Sequence, residues 1–457
     1  MDYGSEGLFM ICLFLLFFIL VGNLCAATPC SILHFSTEFS EEEIRQLKSA
    51  DALERAKILV GMQQEFENAG FVGAEVYEKC KGDTLFLIKK RGEAFVYGEV
   101  RNKYPLKTKP HIFAKLSGLE SGEKVALADL TRASKKLERT GYFIQTRNAE
   151  LYREKGRNRL VPLFYMEESS NSFVEGLLTY SSEDNSWIGV LDVSLKNILG
   201  TARNLEVQGV SGDASHQISF NYLEPWLFSS AWNGKLRGFI EDDSLYNDAL
   251  LEIGVSRMIA FEWEFSLFGG AGNDEWTSAL EISYQTMNSF NLPTQGTSLN
   301  GKIFWKNYRK KKKEDYVLLE GNFEKLLPIY GSWILRFGFA GGTLLPTSTS
   351  FLPEDLIGLG GVNSWKGFRK DFLKTRAYGN TELALRFQGL WNTAFEVFYQ
   401  PGIYRGVTPR HGWIEEHQYG LGIIQYRSSV AISLYYAMRP SLRFEEGFLH
   451  LGVKALF

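Results

Sequence analysis

From residue 172 to residue 457 the chain is a succession of short segments in which apolar and polar side chains alternate, with no helical period. Alternation with period two marks a strand whose two faces meet different surroundings. Sixteen such runs can be marked: 172–181, 187–197, 202–210, 216–223, 231–241, 247–257, 260–270, 276–288, 297–308, 315–324, 331–343, 376–388, 393–400, 415–426, 429–439 and 447–457. About 18 residues per strand and connection suits spanning strands of about 9–11 residues. An even number lets the sheet close. Closure is how a sheet crosses hydrocarbon without leaving backbone groups unpaired. The connections read as alternately short (197–201, 259–261, 388–392, 427–429) and long (181–186, 307–315, 346–375, 402–415). That asymmetry suits a membrane barrel with tight turns on one side.

The closing run places Leu449, Leu451, Val453, Ala455 and Phe457 on one face and His450, Gly452 and Lys454 on the other. It ends on an aromatic residue and resembles the C-terminal assembly signal of outer-membrane proteins, with Gly452, Ala455 and Phe457 as its characteristic positions. Aromatics make up 14% of the chain, as 34 Phe, 21 Tyr and 10 Trp, beside 44 Gly. This richness fits interfacial girdles and tight turns. A net charge of -3 gives no reason to expect a nucleic-acid partner.

Residues 7–21 form a long apolar run followed by Cys25-Ala26-Ala27, which reads as a signal peptide over residues 1–27. Asp2 and Glu6, with no Lys or Arg, depart from the usual leader, and an uncleaved anchor is the other reading. Cys12 and Cys25 fall in the leader. Cys30 and Cys80 remain, either as a disulfide or as two free thiols. No CxxC, HExxH, GxSxG or P-loop pattern occurs, so the sequence suggests no metal, no cofactor and no enzymatic activity.

Residues 38–170 have a different character. A helical period runs over 41–70 through Ile44, Leu47, Leu53, Ala56, Leu59, Val60, Met62 and Phe66. A second runs over 127–140 through Leu127, Leu130, Ala133 and Leu137. Each is followed by a Gly-aromatic pair and two short strands: 73–78 with 84–89, and 144–152 with 160–167. The unit recurs with a period of about 70 residues, the mark of a modular array.

With these features together, the chain resembles the BamA/TamA superfamily of outer-membrane assembly and secretion proteins. Residues 93–168 resemble its POTRA module through Glu93–Val100, Leu116–Gly122 and Leu137–Phe143. Residues 32–92 resemble a weaker second copy. Residues 187–203, through Gly189–Leu191 and Asn197–Ala202, resemble the family's first barrel hairpin, and Glu224–Phe228 its fourth-strand exit. The most specific piece is Gly360-Gly361-Val362-Asn363-Ser364-Trp365-Lys366-Gly367-Phe368, which resembles the loop-six signature, usually Val-Arg-Gly followed by an aromatic. Here Trp365 and Lys366 replace Val and Arg. The resemblance implies that this cation folds into the lumen and meets acidic residues on strands twelve and thirteen. Glu382 matches the first acid, and Gln400 stands where the second is usual. A compact ammonium suits one carboxylate, as a guanidinium fork suits two. Strand alternation puts Glu382, Ala384 and Arg386 inside and Leu383, Leu385 and Phe387 outside.

The expected architecture is therefore a membrane all-β fold. A sixteen-stranded antiparallel transmembrane β-barrel (172–457) is preceded by two α+β POTRA modules (32–92 and 93–168). The latch would comprise Gly360, Gly361, Lys366, Gly367 and Phe368, with Glu382 and Gln400 as lumen partners. The resemblance implies an outer-membrane location with the POTRA modules in the periplasm. It implies non-enzymatic insertion or translocation of unfolded outer-membrane or secreted polypeptides, with periplasmic accessory proteins or lipoproteins as further partners. The alternative is a dedicated two-partner secretion pore exporting one protein. Gly452 marks a weakly paired strand, and the opening seam is expected between the first and last strands. The basic run Arg309–Lys313 would face outward, either solvated or touching lipid phosphates.

Overall fold

A computed structural model describes residues 30, 32–169, 172–181, 186–212, 215–244, 246–259, 262–289, 292–309, 315–346, 351–362, 364–389, 392–407, 412–427 and 430–456. The leader with Cys12 and Cys25, the lysines 310–313 and the terminal Phe457 lie outside these residues. The chain divides into two compact units. One comprises the described residues up to 103, with 114–135 and 147–165; the other comprises 104–113, 136–146 and the described residues from 166 onward.

The N-terminal part begins with β1 (Ile32–Phe35), α1 (Glu41–Ser49), α2 (Ala52–Asn68), β2 (Glu75–Lys81) and β3 (Thr84–Lys90). The strands form a sheet in the order β1-β3-β2. The helical period over 41–70 is thus two helices rather than one. Ala50 leaves the helical region at ψ 144, and the Asp51 carboxylate caps α2 by accepting from Glu54 N–H. Competing caps of this kind end a helix even where the apolar period continues. Ser40 and Glu43 form a reciprocal capping box at the start of α1. Phe39, Leu47, Leu59 and Leu87 make the small core. Cys30 and Cys80 are joined in a disulfide, with Cα atoms 6.4 Å apart.

There follow β4 (Val96–Tyr97), β5 (Arg101–Asn102), α3 (Pro110–Ser117), α4 (Leu127–Arg139), β6 (Phe143–Arg153) and β7 (Arg159–Glu168). Strands β4 and β5 both pair in parallel with β7, which also carries β6. The sequence period missed α3, because eight residues are too short to display a repeating stripe.

The barrel strands are β8 (Phe173–Ser181), β9 (Ser186–Ile198), β10 (Arg203–Ser211), β11 (Ser215–Glu224), β12 (Asn233–Asp243) and β13 (Tyr246–Ile259). Next come β14 (Trp263–Gly272), β15 (Glu275–Gln285), β16 (Gly296–Tyr308), β17 (Tyr316–Tyr330) and β18 (Trp333–Leu345). A loop then contributes β19 (Ile357–Leu359) and β20 (Leu373–Thr375). The wall resumes with β21 (Ala377–Gln388), β22 (Thr393–Arg405), β23 (Trp413–Arg427), β24 (Val430–Met438) and β25 (Phe448–Leu456). Sixteen of these strands close into one antiparallel barrel, with β25 against β8. That joint runs unbroken from Phe448 opposite Ser181 to Leu456 opposite Phe173.

Two expectations need correction. Strands β17 and β22 extend well past the alternating runs at 315–324 and 393–400. Ladder pairing with a neighbour carries a strand beyond its polar alternation. The loop asymmetry is also weaker than the sequence suggested. The turn at 273–274 between β14 and β15 is tight although it lies at the long-loop end, while ten residues separate β15 from β16 at the opposite end.

The barrel exterior is apolar. Leu251, Ile253, Leu383, Leu385, Leu421, Leu449, Leu451 and Val453 are all exposed. Exposed Trp187, Trp276 and Trp413 lie near one end of their strands, and Trp232 and Trp333 near the other barrel end. An apolar band between aromatic belts is the surface that a bilayer requires. The interior is polar and carries buried Glu252, Lys306, Glu382, Arg386, Glu396, Gln400, Gln418 and His450.

Candidate functional site

The segment between β18 and β21 folds back among the inward side chains. Its arms pair as the β19–β20 hairpin, Ile357 opposite Thr375 and Leu359 opposite Leu373. Gly360 and Gly361 turn it, at φ 132° and 88°, where residues with side chains are strained. A Cβ on Gly360 would also lie 1.9 Å from the Arg369 carbonyl oxygen, so this position has no room for one. Leu356, Ile357, Leu359, Trp365 and Phe368 from the loop pack with Phe268, Ala279, Phe304, Tyr316 and Leu344 of the wall. Burying these apolar groups supplies the non-directional part of the loop's attachment.

The tip is held by directed bonds. Lys366 is 4% exposed, and its Nζ lies 2.5 Å from Glu382 Oε2 and 5.0 Å from the centre of the Phe398 ring. The Gln400 amide works in both directions. Its Oε1 accepts from Lys366 N–H at 3.3 Å, and its Nε2 donates to the Ser364 carbonyl at 2.7 Å. Gln418 Oε1 accepts from Gly367 N–H at 2.6 Å. Gly402 leaves the space for Trp365, since a Cβ there would meet the indole at 2.8 Å. A carboxylate at position 400 could accept from Lys366 N–H but could not donate to Ser364. The glutamine therefore binds loop backbone, where the sequence comparison led one to look for a charge partner.

Glu382 is shared. Arg336 of β18 donates to its other oxygen, and to Glu324 Oε1 at 2.5 Å, while lying 3.4 Å from Glu396. Glu396 in turn pairs with Arg386 at 2.8 Å. Three cations (Lys366, Arg336, Arg386) therefore face three carboxylates (Glu324, Glu382, Glu396), and the network is neutral. Buried charges persist only when compensated in this way. Sequence reasoning placed Lys366, Glu382 and Gln400, but it missed Arg336, Glu396 and Gln418. The only available signal was inward alternation of charged residues on membrane strands. Beside the network lies a cavity of about 760 Å³, lined in part by Glu281, Lys302, Glu324, Arg336, Asn380 and Glu382.

Gly452 faces the same interior. It pairs with Ser433 and Leu177, and a Cβ on it would lie 2.4 Å from Ser433 Oγ. Among the described residues of the closing strand, Ala455 lies opposite Val174, while the outward side chains Leu449, Leu451 and Val453 are 40–45% exposed.

Residues 262–402 match the Omp85 superfamily domain. No curated protein matches the chain in sequence. Among solved structures the chain is similar to BamA from Haemophilus ducreyi lacking POTRA domains 1-3. The identity is 15%, covering 94% of this chain and 99% of that chain, with a TM-score of 0.56. It is also similar to CdiB from Acinetobacter baumannii (12% identity, 93% of this chain, 89% of that one, TM-score 0.60). CdiB from Escherichia coli gives 11% identity, 93% and 89% coverage, and a TM-score of 0.59. At these identities the likeness establishes the fold.

Proposed function

We propose that this chain, whose barrel carries an Omp85 superfamily domain, works in an outer membrane as a non-enzymatic machine that inserts or translocates polypeptides. The observation that carries this reading is the inward-folded loop. Its tip residues Trp365, Lys366 and Phe368 are almost wholly buried and are fastened by a neutral ion network inside a fully paired wall. Such a barrel is poorly suited to free diffusion. It conducts a polypeptide only after the loop withdraws or the wall opens, and both events are controllable.

In this reading Gly360, Gly361, Lys366, Gly367 and Phe368 form the latch, with Glu382 and Gln400 as its lumen partners. Residues 32–92 and 93–168 are two POTRA modules on the periplasmic side. Their sheet edges capture unfolded clients by adding a strand, through backbone bonds that tolerate many sequences. Lipoproteins or periplasmic proteins are the accessory partners in this scheme. The joint between β8 and β25 is the place where the barrel opens.

The test is depletion of the chain followed by an inventory of outer-membrane and secreted proteins. Loss of many outer-membrane barrels supports general insertion. Loss of one large secreted protein, with the barrels intact, points to a dedicated two-partner pore. No change in either would overturn the proposal.

A further inference from the structure

The buried imidazole of His450 belongs to neither the ion network nor the apolar core. His450 sits on β25, directly opposite Thr179 of β8, and is 0% exposed. Its Nδ1 lies 2.9 Å from Thr179 Oγ1, across the joint. Its Nε2 lies 2.8 Å from the backbone carbonyl oxygen of Lys366, at the tip of the loop. A carbonyl can only accept, so Nε2 carries the proton. In the neutral ring Nδ1 then accepts from the Thr179 hydroxyl. One side chain thus completes a chain of bonds from the first strand, through the last strand, to the loop.

A second contact runs in parallel. The Arg439 guanidinium, just beyond β24, lies 4.2 Å from the Phe368 ring centre of the loop and 5.8 Å from that of Phe448, the first residue of β25. We infer that His450 is a positioning residue that couples the loop to the joint, so that withdrawal of the loop loosens the β8–β25 pairing. When the Lys366 carbonyl leaves, Nε2–H loses the acceptor that fixes the orientation and tautomer of the ring, and the bond from Thr179 to Nδ1 loses that support. Opening of the wall is thereby made conditional on movement of the loop. This inference rests on reading the loop as a latch.

The test is hydrogen–deuterium exchange of the full chain in phospholipid vesicles, followed in peptides covering 173–181 and 448–456, with 263–272 and 275–285 as controls. Glu382→Gln is used to release the loop tip. In the parent chain it should raise exchange at the joint about tenfold and leave the controls unchanged. In a Thr179→Val background the joint should already exchange faster, and Glu382→Gln should add less than it does in the parent. His450→Leu should behave in the same way. Thr179→Val keeps the imidazole and the packing, and so serves if His450→Leu fails to assemble. An unchanged joint in Glu382→Gln, or an equal rise in every background, would overturn the coupling. No client is present in this measurement, so its failure leaves the proposed client handling standing. Failure of client insertion with the exchange pattern intact would strike that function alone.

Discussion

Asp355 and Lys366 lie on the same loop and are tied to the barrel wall through opposite charges. Asp355 Oδ1 lies 3.2 Å from Lys306 Nζ and also accepts from the Tyr308 hydroxyl, whereas Lys366 is the cation toward Glu382. Lys306 also faces Glu275 at 3.5 Å and Asp248 at 3.6 Å. The loop therefore has one anchor near its base and one at its tip, on different strands. Reversed polarity disfavours exchanging the two, because each misplaced group would meet a like charge.

Lys366→Ala strands part of the negative charge on Glu382, whereas Glu382→Ala leaves Lys366 without its carboxylate and takes one of three from Arg336, which keeps Glu324 and Glu396. Removing one partner of a buried pair costs on the order of 3 kcal/mol. Glu382→Ala should be the more damaging of the two. Lys366→Arg should not improve docking, because Arg336 already occupies the second oxygen of Glu382. The two-carboxylate site that a guanidinium fork favours is not free here. A double-mutant cycle on protease protection of the loop should show strong coupling, and additive losses would contradict the contact.

Asp355→Asn should loosen the base of the loop without releasing its tip. Cleavage by a protease should become faster near residues 351–356 and stay slow near 364–368. The hydrogen bond from Tyr308 can persist to an amide oxygen, so the expected loss is about 1–2 kcal/mol. Uniform loosening along the whole loop would show that the two anchors act as one.

Gly452→Ala should destabilise the barrel by about 1–3 kcal/mol, as overpacking of a filled site does. The new methyl would overlap Ser433 Oγ, which lies 2.4 Å from the added carbon position. Ser433→Ala should recover much of the loss. Denaturant unfolding in vesicles measures both. If Gly452→Ala were neutral by itself, the glycine would be serving loose pairing rather than close packing.

Glu43 and Lys89 test the first unit. Lys89 Nζ donates to both Glu43 oxygens at 2.7 Å and lies 5.5 Å from the ring centres of Phe39 and Phe66. Burial by itself would raise the pKa of Glu43. The hydrogen bonds from Lys89 and Ser40 outweigh it and hold the carboxyl below its ordinary value. A depressed carboxylate adds stability above its unfolded pKa and loses it as pH falls through the folded value. Exchange protection of residues 41–90 should therefore fall below about pH 4.5, the ordinary value for a glutamate. Glu43→Gln should remove that acid limb and cost about 2 kcal/mol at neutral pH. An unchanged acid limb in Glu43→Gln would assign it to other carboxylates.

Strand number, the inward and outward sets, and the loop that carries Lys366 were all legible in the sequence. The reason is covalent. Side chains alternate along any strand, so a chain with lipid on one side and a polar lumen on the other must write that difference into every second residue. Turn residues such as Gly360 and Gly361 are legible for the same local reason. What no local pattern contains is which inward residues meet. Glu382 faces Arg336 because β18 and β21 are neighbours in a particular register. His450 meets Thr179 because the last strand closes on the first, and it meets Lys366 because the loop between β18 and β21 folds back into the lumen. Asp355 finds Lys306 by that same fold of the loop. These pairs depend on closure and on long-range return of the chain, so only the tertiary structure decided them.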